Sequence, residues 1–233
     1  MAGNKTIPAG SGTAPSRQIA DFVQEARSIA PAAGGNGLIF ALDATMSRQP
    51  TWDRACLLQA GMFDEAAKAG GLHIQLVYYR GLGECRASRW AHEAKSLKAM
   101  MEKIDCRGGH TQLGRVLRHA AGEAARGQVK ALAFVGDAFE ESLDDVCAAA
   151  GEVALRAVPV FLFQEGSDPV ASRAFKEIAR LTRGAHCVFD GSAADELGAL
   201  LRAVAAYAAG GVHALKQLAE RQDTARLLLA RMG

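Results

Sequence analysis

The chain has few aromatic residues and almost no excess charge of either sign. Aromatic residues make up 6% of its 233 positions, too few for a surface that stacks bases or sugars. Its 27 lysines and arginines against 25 aspartates and glutamates leave a net charge of +2. Such a charge creates no global field that attracts nucleic acid or an anionic membrane. We therefore expect neither of these as a partner.

Metal-binding cysteine patterns and targeting segments are also lacking. The cysteines are five in number and scattered, with no CxxC spacing, which argues against a zinc site and is typical of a reducing cytoplasm. The opening residues MAGNKTIPAGSGTAPS contain neither the basic start nor the apolar run of a secretion signal. No stretch approaches the roughly 18 apolar residues of a membrane span. The expected location is cytoplasmic.

The length suits one α/β domain with additions at both ends. Residues 1–35 are predicted to form a flexible arm that contains a short amphipathic helix, because apolar residues recur at helical spacing between Pro15 and Pro31. Residues 36–210 would form the main domain, and residues 211–233 a C-terminal helix. By default the apolar side of this helix packs on that domain, and binding of a partner helix is the alternative.

Apolar strands alternate with amphipathic helices along the main domain. This order predicts a doubly wound, mainly parallel six-stranded sheet with helices on both faces. The third strand is expected to be an antiparallel edge strand. Strands are predicted at 37–43, 73–79, 83–88, 129–137, 158–163 and 185–190. Helices are predicted at about 51–68, 91–104, from Thr111, and at 141–156, 169–182, 193–209 and 212–231.

Polar residues stand where three segments reach the ligand-binding edge of such a sheet. Asp43 ends the first strand, and Thr45 and Ser47 follow it at alternate positions. Thr111 follows a glycine-rich turn, and Asp137 ends another apolar strand. Ligands bind beyond the carboxyl ends of the strands, where the strand order reverses. We therefore expect these five side chains to converge.

Two carboxylates and three hydroxyls form a site of hard oxygen ligands. Such a site suits Mg²⁺, with Mn²⁺ or Ca²⁺ as alternatives, and disfavours zinc or copper. Water would complete the shell, and the ion would keep enough positive charge to accept an acidic group from another molecule. Taken singly, Asp43, Ser47 and Thr111 could equally be loop or helix-capping residues. Their combination favours the metal.

The pattern Asp43-x-Thr45-x-Ser47, Thr111 and Asp137 resembles the metal-ion-dependent adhesion site of von Willebrand factor type A domains, over residues 36–208. The usual motifs have serine in place of Thr45 and glycine in place of Ala138. The resemblance, to intracellular bacterial proteins of this type, implies a non-enzymatic module that binds an Asp or Glu of a protein partner through the ion. Many similar proteins serve as adaptors for AAA+ ATPases or assembly systems.

Two other functions stay open at this point. A magnesium-dependent phosphohydrolase or phosphotransferase could use Asp43 as nucleophile. However, Thr45 stands where the haloacid-dehalogenase-like pattern has a second aspartate, and no GxxxxGK[ST] or GxGxxG motif occurs. A structural scaffold with a vestigial metal site, which binds partners through its terminal helices, is the other alternative.

Overall fold

A computed structural model describes residues 36–190 and 194–232 of the chain. These residues contain one six-stranded sheet, which confirms the predicted fold class. The predicted arm and amphipathic helix of residues 1–35 lie outside the described residues. The strands are β1 Gly37–Asp43, β2 His73–Arg80, β3 Glu84–Ala91, β4 Val129–Gly136, β5 Val160–Glu165 and β6 Ala185–Phe189.

The strand order is β3-β2-β1-β4-β5-β6. All neighbouring strands are parallel except β3, which pairs antiparallel with β2 at one edge, as predicted. The order reverses between β1 and β4, whose register places Leu42 opposite Val135. The carboxyl ends of these two strands therefore adjoin at the edge where ligands of such sheets bind.

The helices cover both faces of the sheet. They are α1 Gln49–Leu58, α2 Ala60–Ala67, α3 Ala94–Met101, α4 Leu113–Ala125, α5 Leu143–Ala154, α6 Pro169–Thr182, α7 Ala194–Ala219 and α8 Asp223–Arg231. The single helix predicted over residues 51–68 is wrong. Two helices form instead, and they meet at Gln59. The Gln59 carbonyl accepts a hydrogen bond of 3.1 Å from the amide of Met62, three residues later, which is the spacing of a 3₁₀ turn. Thr111 does not begin a helix, because α4 starts at Leu113.

The C-terminal segment forms two helices where one was predicted over residues 212–231. Helix α7 continues to Ala219 across a break at Gly210 and Gly211. Gly211 has φ 65°, a left-handed conformation that favours glycine. A turn then separates α7 from α8. Val212 and Leu227 of this segment are exposed, but most of its apolar side chains are buried in the core of the same chain. The buried ones are Ala214, Leu215, Leu218, Ala219, Ala225 and Leu228.

The uninterrupted apolar sequence of strand β1 is explained by its position in the middle of the sheet. All seven of its residues are buried. Leu38, Phe40 and Leu42 pack on the side that holds α1, α2, α3, α7 and α8, and alternate residues pack against α4, α5 and α6. A strand covered on both faces needs apolar side chains on both, so no alternation appears in the sequence.

Helix α7 corrects one expectation about membranes. Its residues Asp195–Ala219 are long and apolar enough to cross a membrane by length and composition, although no such stretch was expected. Most of this stretch is buried, and Leu197, Leu201 and Val204 are fully so. Burial against the sheet accounts for its apolar composition, since a central core helix is hydrophobic on most sides.

Candidate metal centre

Asp43 is the buried anchor of the site, with 3% of its surface exposed. Its Oδ1 accepts a hydrogen bond from the Thr45 amide at 2.8 Å, and its Oδ2 accepts one from the Tyr79 hydroxyl at 3.1 Å. Tyr79 is the register partner of Asp43 on β2, which explains how its hydroxyl reaches the carboxylate. These bonds fix the carboxylate at the end of β1.

Two predicted hydroxyls lie on the loop that follows Asp43. Thr45 is partly buried and Ser47 is exposed in the short 3₁₀ turn Met46–Arg48. The Thr45 Oγ1 and Ser47 Oγ atoms are 3.4 Å apart. Burial raises the pKa of Asp43, and a hydrogen bond from the Thr45 side chain offsets part of this rise. Three of the five predicted residues are therefore linked within one loop.

Asp137 follows β4 directly beside this loop. A Cβ placed on Gly136 would lie 3.8 Å from the Cβ of Asp43, so the two strand ends are in contact. Burial raises the pKa of Asp43, and the charge of Asp137 raises it further, which outweighs the hydrogen bonds that lower it. The two carboxylates thus repel each other across the end of the sheet, and a cation between them would relieve this repulsion.

Thr111 is buried and is tied to both neighbouring loops. Its Oγ1 accepts a hydrogen bond from the Glu140 amide at 2.9 Å, which joins it to the loop after Asp137. On the other side, the Arg107 amide donates to the Ala44 carbonyl at 2.9 Å, which joins the segment before Thr111 to the loop after Asp43. All five predicted residues therefore lie at one edge of the sheet.

Sequence reasoning missed Glu141 as a supporting residue. Its carboxylate accepts hydrogen bonds from the amides of Leu113 at 2.5 Å and Gly114 at 3.0 Å, and so caps the start of α4 from a different segment. An acidic group at a helix N-terminus also interacts favourably with the helix dipole. The pair Glu140 and Glu141 is visible in the sequence, but nothing there shows that these residues reach Thr111 and the start of α4.

The tip of the β2–β3 hairpin supports the same loop. A Cβ on Gly109 would lie 2.2 Å from the Gly81 carbonyl oxygen, so only glycine allows this approach. The His110 amide donates to the same carbonyl at 3.3 Å. The His110 Nδ1 lies 3.1 Å from the Glu140 Oε2, so this side chain also contacts the loop after Asp137. The glycine-rich turn before Thr111 is thus set by a packing contact.

The donor set suits a hard divalent ion. Within residues 36–190 and 194–232, no three histidine, cysteine, aspartate or glutamate side chains form a group that could hold a metal. An ion at this edge would therefore depend on hydroxyls and water in addition to Asp43 and Asp137. Ligands that are all oxygen favour magnesium, manganese or calcium.

No protein-family profile and no curated protein matches the chain. Solved structures do. A von Willebrand factor type A protein from Catenulispora acidiphila aligns at TM-score 0.59 and 18% identity over 76% of this chain. The alignment spans only 43% of that protein. At 18% identity the likeness shows the fold alone.

Two further structures align over nearly their whole length. The conserved hypothetical protein BatB from Bacteroides thetaiotaomicron aligns at TM-score 0.53 and 18% identity, over 70% of this chain and 95% of BatB. The SpRpn10 VWA domain aligns at TM-score 0.55 and 9% identity, over 69% of this chain and 94% of that domain. The sheet order and these alignments show that the described part of the chain contains the von Willebrand factor type A fold.

Proposed function

We propose that this protein is a non-enzymatic interaction module that binds an aspartate or glutamate of a protein partner through a divalent ion. The observation that carries the proposal is the meeting of Asp43 and Asp137 at the reversal point of the sheet, with Thr45, Ser47 and Thr111 around them. The fold, which is typical of interaction modules, supports it.

Each residue has a distinct part in the proposed site. Asp43 is held by Thr45 and Tyr79 and supplies a fixed negative charge beneath the ion. Thr45, Ser47 and Thr111 supply neutral oxygens, so the five proposed ligands contribute two negative charges at most. When bound, Mg²⁺ would keep part of its positive charge for an outside carboxylate. The exposed Met46, on the same loop, would contact the partner next to that carboxylate.

The wider role follows from the same binding chemistry. A module that recognises one acidic side chain suits an adaptor, for example for an AAA+ ATPase or an assembly system. We propose a cytoplasmic location for it, as the sequence composition indicates. Both statements depend on identifying the partner that the ion holds.

The first experiment measures ion binding. Titration of Mg²⁺ and Mn²⁺ into the wild type should give saturable binding by calorimetry, and the ion should raise the thermal midpoint. Stabilisation of about 2.7 kcal/mol is expected at a free ion concentration roughly 100-fold above Kd. Asp43→Asn and Asp137→Asn should lose both effects. Asp64→Asn removes an exposed carboxylate from α2 and should keep them. Equal midpoints with and without ion in the wild type would sink the metal proposal.

The second experiment tests the partner. Pull-downs from cell extract with Mg²⁺ should retain a protein that EDTA releases and that Asp43→Asn does not capture. Replacing the acidic residues of the identified partner one by one should locate a single residue whose loss abolishes capture. Capture that is unchanged by EDTA would argue for the scaffold alternative, in which other surfaces bind.

The structure disfavours the enzyme alternative. A nucleophilic aspartate needs an oxygen that is free to attack, whereas Asp43 is buried, its Oδ1 accepts from Thr45 and its Oδ2 accepts from Tyr79. A remaining lone pair on such an oxygen can still serve an ion or a water of its shell. Hydrolysis of a generic phosphoester that disappears in Asp43→Asn would restore this function.

A further inference from the structure

A groove lies along the outer strand β6, away from the site at β1 and β4. Its volume is about 540 Å³. Helix α6 and helix α8 contribute its walls, and β6 contributes its floor. Within the described part of the chain, β6 pairs on one side only, with β5. The lining residues are Lys176, Ala179, Arg180, Gly184, His186, Val188 and Arg231.

The groove is basic because cations from two helices meet over one strand. Lys176 and Arg180 extend from α6, and Arg231 from α8. None of the lining residues is acidic, and Glu177 is paired with Arg180 beside the groove at 2.5 Å. The whole chain has a net charge of only +2, so this concentration of positive charge is local.

His186 shows that these cations act at the same place. The residue is 8% exposed, and its Nε2 lies 2.9 Å from the Gln164 Oε1. Burial and, to a smaller extent, the charges of Lys176 and Arg231 together lower the pKa of His186 to about 4. The two cations therefore lie close to one ring although they belong to different helices. The ring stays neutral near neutral pH, so the positive charge of the groove comes from Lys176, Arg231 and Arg180, and Glu177 offsets part of the charge of Arg180.

We propose that this groove binds an acidic, extended peptide segment of a second protein partner. Carboxylates of the segment would pair with Lys176, Arg180 and Arg231. Val188, which is 44% exposed, and Ala179 would contact its apolar side chains. Among the described residues, no Phe, Tyr or Trp lines the groove and His186 is only 8% exposed, so the groove offers little ring surface on which a nucleic acid base could stack. With two separate binding surfaces, the module could link two proteins.

The test uses a short fluorescein-labelled peptide that alternates glutamate with valine, titrated with the full chain in EDTA and followed by anisotropy. Binding should saturate, and Lys176→Glu should weaken it about tenfold, a loss of roughly 1.4 kcal/mol. Lys176 is the residue of choice because Arg231 also donates to the His186 carbonyl, and its loss could loosen α8. Circular dichroism should show that Lys176→Glu is folded.

Two controls make the result specific. Arg173→Glu reverses an exposed charge on the same helix outside the groove and should leave the affinity unchanged. A peptide with glutamine in place of glutamate should not bind. Equal weakening by Arg173→Glu, equal binding of the glutamine peptide, or equal binding of a single-stranded oligonucleotide would each overturn the proposal. Asp43→Asn should bind the peptide normally, so failure of the metal site and failure of the groove can be told apart.

Discussion

Thr111 and Glu140 bind each other twice: the Glu140 amide donates to the Thr111 hydroxyl, and the Thr111 amide donates to the Glu140 carboxylate. This exchange joins the loop before α4 to the loop after β4, which carries Asp137. The Thr111 hydroxyl oxygen accepts the bond from the Glu140 amide with one lone pair and can offer its other lone pair to an ion. Glu140 is therefore a positioning residue for the proposed metal ligand.

Removing the Glu140 side chain should lower the affinity for the ion without unfolding the protein. Glu140→Ala deletes the acceptor for the Thr111 amide, and loss of such a supporting partner typically costs about 10- to 100-fold in metal affinity. Calorimetric titration with Mn²⁺ measures this loss. Glu152→Ala, an exposed glutamate on α5, is the matched control and should bind like the wild type. Unchanged affinity in Glu140→Ala would exclude this supporting role.

Adjacent glycines before Thr111 should respond differently to alanine. Gly109→Ala forces a methyl group against the Gly81 carbonyl, 2.2 Å away, and should cost about 1–3 kcal/mol while weakening ion binding. Gly108→Ala meets no atom within 4 Å and should change the free energy of unfolding by less than about 0.5 kcal/mol. Urea unfolding of both variants checks this. Similar losses in the two would show that the hairpin contact does not constrain the loop.

The fold and the five proposed ligands could be predicted from the sequence, because the ligands lie close together in the chain, directly after apolar strands or after a glycine-rich turn. Asp43, Thr45 and Ser47 lie within five residues, and the apolar runs before Asp43 and Asp137 mark strands, so the edge they share follows from the topology of alternating strands and helices. The supporting contacts could not be predicted. Tyr79 contacts Asp43 because of the register between β1 and β2. That register cannot be predicted from the sequence of either strand alone.

Glu141 should stabilise the fold through α4. Its carboxylate accepts from the first amides of that helix, and replacing a capping acceptor typically costs about 1 kcal/mol. Glu141→Ala should therefore lower the midpoint of urea unfolding in EDTA, where no ion contributes. Glu152→Ala again serves as the control. A midpoint equal to that of the control would show that water replaces the carboxylate at no cost.

The ion-free protein should lose stability as Asp43 ionises. Burial and Asp137 raise the pKa of Asp43 above its ordinary value of 3.8, so the folded state binds this proton more tightly than the unfolded state. The contribution is present below pH 3.8 and is lost as the pH rises through the folded-state pKa. In EDTA, the free energy of unfolding should therefore fall more steeply with rising pH in the wild type than in Asp43→Asn.

The presence of Mg²⁺ should change this comparison. The ion binds the ionised carboxylate, so it should offset the loss in the wild type at neutral pH and leave Asp43→Asn unaffected. Urea unfolding at several pH values, with and without Mg²⁺, gives both curves. Parallel pH profiles of the two proteins in EDTA would show that Asp43 titrates as an ordinary carboxyl.

His186 should act in the opposite sense. Its pKa in the folded state is lowered to about 4 by burial, then by Lys176 and Arg231, so the unfolded state takes up the proton first. Stability is full above pH 6.5 and is lost as the pH falls toward 4. His186→Gln should make the free energy of unfolding less sensitive to acid over this range, measured in urea. An unchanged acid sensitivity would place the His186 ring in contact with water.

The hydrogen bond from Tyr79 to Asp43 gives the proposed site an optical property. Tyr79 is fully buried, stacks beside Phe134 and touches the carboxylate with its hydroxyl, so its ring lies next to any ion that Asp43 holds. A luminescent lanthanide, which prefers oxygen ligands as calcium does, would receive excitation energy from that ring. Emission from terbium excited through tyrosine would then report occupancy of the site directly, and Tyr79→Phe would dim the emission by removing the tyrosine chromophore.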